Sequence, residues 1–185
     1  MPGKIKCFQV VPENIRRTHE EFTRQLQKQR NSLEITTTKK ECKAILFYCP
    51  IVSRVGTDIQ VALQKLNDDY KDKYVALVVL HHTFDPECSV LDSSRVVNKE
   101  NKEDPENPLV VDCLFHEDKG LLQCRKNDEA VKKVADWLHS VVCILKYSQL
   151  SVYLHCVNEK TVESTKQWQK LVSGLKYSII SSWYW

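Results

Sequence analysis

The apolar pattern of residues 43–66, KAILFYCPIVSRVGTDIQVALQKL, changes its period in the middle. Residues 44–49 form a short, nearly continuous apolar run with aromatic side chains, which is typical of a strand buried on both faces. Thr57 and Asp58, either of which can cap a helix N-terminus, then precede an apolar repeat at helical spacing. The repeat consists of Ile59, Leu63 and Leu66. A strand, a turn and a helix in succession make one βα unit, so this segment predicts an α/β domain.

The rest of the chain continues this alternation. Further strands are predicted at residues 5–11, 74–80, 109–115 and 150–157. Helices are predicted at residues 13–30, at 57–67, from a cap at Asn127 or Asp128 to about Leu138, and at 162–171. The threonines of residues 31–40 interrupt the first helix, and a loop with Gly120 follows the strand at 109–115. Because hairpin signals do not recur, we expect a doubly wound, mainly parallel sheet of about five strands. The expected architecture is three-layer α/β/α with a flavodoxin-like strand order.

The length of 185 residues favours one main domain. We expect a single α/β domain at residues 1–145, with its core at 40–140, and a strand–helix extension at 146–185. An alternative is a smaller core flanked by loosely attached ends. The long polar connection at residues 81–108 is expected to be a mobile flap.

The composition limits the classes of partner. Twenty-seven basic and 24 acidic side chains give a formal charge of +3, which provides little long-range attraction for nucleic acid or an anionic membrane. The apolar runs are shorter than the ~20 residues that span a bilayer, and the N-terminus lacks a secretory pattern. We therefore expect a cytoplasmic protein whose eight cysteines are free thiols. No cofactor, no metal and no nucleic-acid or membrane partner is expected.

Polar side chains follow three of the predicted strands, at the edge where ligands bind in parallel sheets. The candidate ligand-binding residues are Ser53, Arg54, Thr57, His82, Thr83 and His116. Ser53, Arg54 and the helix N-terminus after them would suit a small anion, because they offer hydroxyl, guanidinium and amide donors. The alternative is that these residues serve only as turn, cap and solvated loop. The known phosphate-loop patterns do not occur in the sequence.

Cys49, His82 and Asp85 form the best catalytic arrangement that the sequence offers. Cys49 precedes a helix N-terminus that would lower its pKa, but Pro50 removes an amide donor next to it. His81 and His82 point to opposite sides of a strand, so only one of them can face a site. A metal site formed by His82, Cys88 and His116 across loops stays possible. We therefore assign no catalytic set.

Residues 44–138 contain, in order, the motifs YCPIVSRVGTD, LVVLHHTFDP, VVDCLFHEDKGLLQC and NDEAVKKV. In these motifs the chain resembles a family of small, largely uncharacterised vertebrate α/β proteins that occur in many related copies. The resemblance covers about half of the chain and implies no activity for any residue.

The expected topology is also similar to that of receiver, flavodoxin and TIR-type domains. The strand ends read VPE and HHT where a receiver needs an acidic pair and a phosphorylatable Asp, and a flavodoxin-type phosphate loop does not follow the first strand. For TIR-type domains, the similarity is limited to the apolar opening strand and an Arg and Gly turn.

The sequence thus predicts a non-enzymatic intracellular binding or protein-interaction module. Its partner would be a protein or a small anionic ligand at the carboxyl edge of the sheet. The alternative is a small-anion or nucleotide-binding protein, or a hydrolase-type enzyme, that uses the same edge. A further alternative is an adaptor that binds through the helix at residues 13–30.

Overall fold

The structure is a computed structural model that describes residues 5–97 and 108–157, without the side chains of residues 14, 16 and 149–157. The chain divides into two units, residues 1–138 and 139–185. The predicted helix at 162–171 and most of the extension at 146–185 lie outside the described residues, as does part of the connection at 81–108.

The described residues contain six strands, four α-helices and two 3₁₀ turns at Glu13–Ile15 and Lys39–Glu41. The strands are β1 (Ile5–Val10), β2 (Leu33–Thr36), β3 (Ala44–Pro50), β4 (Tyr74–His82), β5 (Leu109–His116) and β6 (Gly120–Leu121). The helices are α1 (Arg16–Gln29), α2 (Val55–Tyr70), the single turn α3 (Ser94–Val97) and α4 (Arg125–Val157).

The strands form one sheet in the order β2-β1-β3-β4-β5-β6. The first five strands are parallel to their neighbours, whereas β6 pairs antiparallel with the end of β5. The expected α/β class with a mostly parallel sheet is therefore confirmed. The sheet has six strands, one of them antiparallel, where about five strands in a mainly parallel sheet were expected.

Three segments account for that difference. Leu33–Thr36 was expected to interrupt a helix, but its β-branched residues form edge strand β2 against β1. Gly120–Leu121 was expected to lie in a loop, but it pairs with β5. The predicted strand at residues 150–157 lies within α4. Its apolar residues also fit the helical spacing i, i+3, i+4 and i+7, so the alternation was ambiguous.

Helices lie on both faces of the sheet. On one face, α2 packs against alternate residues of β3 and β4. The buried cluster on this face contains Cys42, Ile45, Phe47, Cys49, Ile59, Ala62, Leu66, Leu77 and Val79. On the other face, the buried ring of Tyr48 meets the Phe22 ring of α1 edge-on, with ring centroids 5.9 Å apart. Residues of β3 therefore alternate between two cores, as a strand buried on both faces requires.

Strands β3, β4 and β5 end at the same edge of the sheet. The register pairs Pro50 with Leu80 and His82 with Phe115. The amide of Ile51 extends this pairing by donating to the Leu80 carbonyl at 2.9 Å. The loops that carry the candidate residues therefore leave the sheet from neighbouring strand ends, which we call the carboxyl edge.

The turn between β5 and β6 is fixed to α1. Gly120 has a φ of +74°, and a Cβ at this position would collide with the Glu21 carboxylate, so the turn requires glycine. Glu21 Oε2 accepts a hydrogen bond from the Leu121 amide at 2.7 Å. Arg17 Nη1 donates to the Asp118 carbonyl at 2.7 Å. These contacts join parts of the chain about 100 residues apart and hold the end of β5 in place.

Within the described residues, every helix is too short or too polar to cross a lipid bilayer.

Candidate functional site

The donors of the loop between β3 and α2 are hydrogen-bonded to the carboxylate of Asp58. The amides of Val52 and Ser53 each donate to Asp58 Oδ2 at 2.8 Å, and the Ser53 hydroxyl donates to Asp58 Oδ1 at 2.8 Å. Hydrogen bonding by the Ser53 amide, opposed by some desolvation, is the main reason that the pKa of Asp58 lies below its ordinary value. Asp58 therefore occupies the place that a bound anion would take in this loop.

The expected helix cap is different in the structure. Helix α2 begins at Val55, and the residue before it, Arg54, makes no capping hydrogen bond with its side chain. Thr57 and Asp58 lie inside the first turns of α2, so the prediction that one of them caps the helix is wrong. The reason is that Asp58 reaches back to the loop amides instead of the helix amides. Arg54 is exposed and forms no ion pair with a described residue.

The structure brings two of the candidate histidines together. The rings of His82 and His116 are stacked, with centroids 5.1 Å apart and planes inclined by 29°. The exposed His82 ring also lies edge-on to Phe115 at 5.4 Å. His116 Nδ1 accepts a hydrogen bond from the Asp118 amide at 3.2 Å, which leaves Nε2 to carry the proton of the neutral ring. The two strand ends thus present a small aromatic surface.

Thr83 and Asp85 build the turn after β4. The Thr83 amide donates to the Phe115 carbonyl at 2.8 Å, and the Thr83 hydroxyl accepts a hydrogen bond from the Asp85 amide at 3.1 Å. The Asp85 carboxylate in turn accepts from the Glu87 amide at 2.9 Å. Both side chains are therefore engaged in local turn bonds, which explains their occurrence here without a ligand.

Cys49 lacks the properties of an activated nucleophile. Its thiol is buried and donates to the Asp58 carbonyl at 3.7 Å. Burial, followed by the nearby charge of Asp58, raises the pKa of Cys49 to about 11. The expectation that the helix N-terminus would lower this pKa is wrong, because desolvation of the thiolate outweighs the helix. The thiol remains protonated at neutral pH.

A buried, hydrogen-bonded histidine–carboxylate pair that the sequence analysis missed lies below the carboxyl edge. His81 Nε2 is 2.7 Å from Asp112 Oδ1, and the Ser93 amide donates to Asp112 Oδ2 at 3.0 Å. Burial alone would raise the pKa of Asp112, but the hydrogen bonds from His81 and Ser93 outweigh it and the pKa is lowered. Asp112 thereby ties the chain before α3 to the sheet. A charged residue inside the apolar run LVVDCLF was the signal that Asp112 is a buried carboxylate in need of a partner, although it does not identify that partner.

The other notable feature of the carboxyl edge is apolar. Val52, after β3, is 79% exposed, and Phe84, after β4, is 75% exposed. Large apolar side chains this exposed gain from contact with another surface.

As for metals, no three His, Cys, Asp or Glu side chains of residues 5–97 and 108–157 gather as a metal site requires, so His82, Cys88 and His116 form no such group.

Comparison of the chain with models of known protein families and with curated proteins gives no match.

Proposed function

We propose that this chain is a non-enzymatic protein-interaction module that binds a partner protein through its carboxyl edge. The binding surface consists of Val52, Phe84 and the stacked rings of His82 and His116. The partner would present an apolar or aromatic patch that complements Val52, Phe84 and the two histidine rings.

One observation carries this proposal. The donors of the β3–α2 loop, which a small anion or nucleotide would need, are directed at Asp58. An incoming anion would have to displace that carboxylate and would meet its negative charge. Apolar contact with a partner is therefore the interaction that breaks the fewest existing hydrogen bonds at this edge. The same geometry disfavours the alternative of an anion-binding protein or a hydrolase at this edge.

The architecture supports a flavodoxin-like assignment, because β2-β1-β3-β4-β5 reproduces that strand order before β6 is added. We also propose membership in the multi-copy vertebrate family on the ordered motifs given above. A cytoplasmic location remains part of the proposal, in keeping with the unpaired cysteines of the described chain.

Affinity capture with paired variants tests the interaction. The tagged full chain is compared with Val52→Ser/Phe84→Ser and with a control, Val61→Ser/Leu91→Ser, which changes two side chains that are 64% and 77% exposed. A partner that is captured by the wild type and then purified should bind the edge variant at least about tenfold more weakly, as expected when an interface anchor is lost. The control variant should bind normally. Equal binding by both variants would refute the assignment of this surface.

A further inference from the structure

Helix α4 carries a histidine and a cysteine one turn apart on its surface. His139 is exposed and Cys143 is partly exposed, and both lie in the second unit of the chain. Residues four apart are neighbours on a helix surface. The Cys143 Sγ lies 3.7 Å from His139 Nε2, so the two atoms that can bind a metal lie side by side. The pair therefore offers one nitrogen and one sulfur donor that can bind the same ion.

The separation of these two atoms matches a tetrahedral zinc site. Zinc binds an imidazole nitrogen at about 2.0–2.1 Å and a thiolate sulfur at about 2.3 Å. At the tetrahedral angle, those bond lengths place the nitrogen and the sulfur about 3.5–3.6 Å apart. The observed distance of 3.7 Å is within ~0.2 Å of this value. Binding of zinc by both side chains thus requires little movement of either.

Two ligands fill half of a tetrahedral site, and the sequence limits where further nitrogen or sulfur ligands can come from. All six histidines and eight cysteines of the chain lie within residues 5–157. Among the described side chains, no third His, Cys, Asp or Glu gathers with this pair. His155 and Cys156 belong to the same helix, about 24 Å along its axis from His139 and about 20 Å from Cys143, respectively. One copy of the chain therefore does not complete a site of two histidines and two cysteines.

We propose, against the sequence-based expectation of no metal, that His139 and Cys143 form half of a zinc site and that a second copy of this chain supplies the other half. A two-fold dimer brings the same patch of both copies together, so two imidazoles and two thiolates would surround one ion. A tetrahedral set of two nitrogen and two sulfur ligands is typical of zinc. Each thiol gives its proton to the solvent on binding, and the two thiolates then balance the charge of Zn²⁺.

The surface beside the pair also suits contact between two copies. Tyr147 lies one turn beyond Cys143 on the same side of α4 and is 47% exposed. An aromatic side chain with a polar tip is typical of protein interfaces. Tyr147 would therefore add apolar contact area next to the ion.

Zinc titration of the reduced full-length protein, followed by sedimentation, tests the proposal. We expect the mass to rise from the 21.6 kDa of one chain to twice that value. The change should be complete at one zinc per two chains, and a chelator should reverse it. Cobalt in place of zinc should give the visible absorption of a tetrahedral site with thiolate ligands.

Two single variants and a control locate the ion. His139→Gln and Cys143→Ser should each weaken zinc binding by at least about 100-fold, because each removes two of the four ligands of the dimer. Both positions have solvent access, so the variants should fold. The control, Cys88→Ser, changes another partly exposed thiol and should bind zinc as the wild type does.

Four outcomes would overturn the proposal. The first is an absence of saturable zinc binding. The second is one zinc per chain without a change in mass, which would mean that water or the same chain supplies the remaining ligands. The third is a dimer that forms equally well in chelator, and the fourth is unchanged zinc affinity in His139→Gln or Cys143→Ser. None of them bears on partner binding at the carboxyl edge, which is tested with Val52→Ser/Phe84→Ser.

Discussion

Replacing Asn127 by alanine measures how much one buried side chain contributes to holding the start of α4 against β5. Asn127 is almost fully buried, at 1% exposure. Its Oδ1 accepts a hydrogen bond from the Leu114 amide at 2.8 Å, and its Nδ2 donates to the carbonyls of Leu114 at 2.8 Å and Leu122 at 2.6 Å. The side chain therefore pairs with the edge of β5 much as a neighbouring strand would.

The size of the effect follows from these bonds. Alanine removes all three, and each is worth about 1 kcal/mol in net stability. The Leu114 carbonyl keeps a second donor, the Leu122 amide at 3.1 Å. The Leu114 amide and the Leu122 carbonyl lose the Asn127 bonds while buried, which adds a desolvation penalty. We expect a loss of about 3–5 kcal/mol, a large part of the ~5–15 kcal/mol that stabilises a typical domain.

Urea unfolding followed by circular dichroism measures this loss. The control is Asn67→Ala, which changes an exposed asparagine of α2 and should alter the free energy of unfolding by less than about 0.5 kcal/mol. Asn127→Asp, which keeps one acceptor but places a carboxylate against two carbonyls, should be unstable at neutral pH and recover partly in acid. If Asn127→Ala behaved like Asn67→Ala, the inferred role of this side chain would be wrong.

Three further predictions concern other parts of the first unit. Glu21→Ala should destabilise the fold by about 2 kcal/mol, because the partly buried Leu121 amide loses its charged acceptor. Its control, Glu20→Ala, changes an exposed side chain and should leave the stability unchanged. Equal urea midpoints for the two variants would contradict this prediction. Asp112 has a lowered pKa when folded, so it stabilises the protein above the ordinary Asp pKa of about 3.9, and this contribution disappears as the pH falls below that value. The difference in unfolding free energy between the wild type and Asp112→Asn should therefore shrink as the pH falls from about 5 to about 3, and a constant difference over that range would count against the pairing. Iodoacetamide at neutral pH should modify the partly exposed Cys88 well before the buried Cys49, as mass spectrometry of peptides would show; the reverse order would refute the protonated, buried state of Cys49.

The central strands were predictable because their signal is local. Residues 44–49, 74–80 and 109–115 are short, nearly continuous apolar runs, and each forms a parallel strand. The short edge strands β2 and β6 were missed because four and two residues carry little periodicity. Their pairing depends on contacts with distant segments, such as the bond from Leu121 to Glu21.

The candidate site was predictable only as a location. Parallel strands bring Ser53, His82 and His116 to one edge, and the sequence indicated that much. It could not show which acceptor the loop amides would take, because Asp58 can cap a helix or reach back to the loop with similar local cost. Nor could it pair His81 with Asp112, since the two are 31 residues apart and meet only in the folded sheet.

The amide signals of Val52 and Ser53 test the account most directly. If Asp58 occupies the loop at the carboxyl edge, adding ATP or inorganic phosphate to the full-length protein should leave both signals in place. Acidification should instead move them together as the Asp58 carboxylate takes up a proton. Saturable movement of both signals with either anion would show that the edge is an anion site, and it would contradict the assignment of this surface to a protein partner.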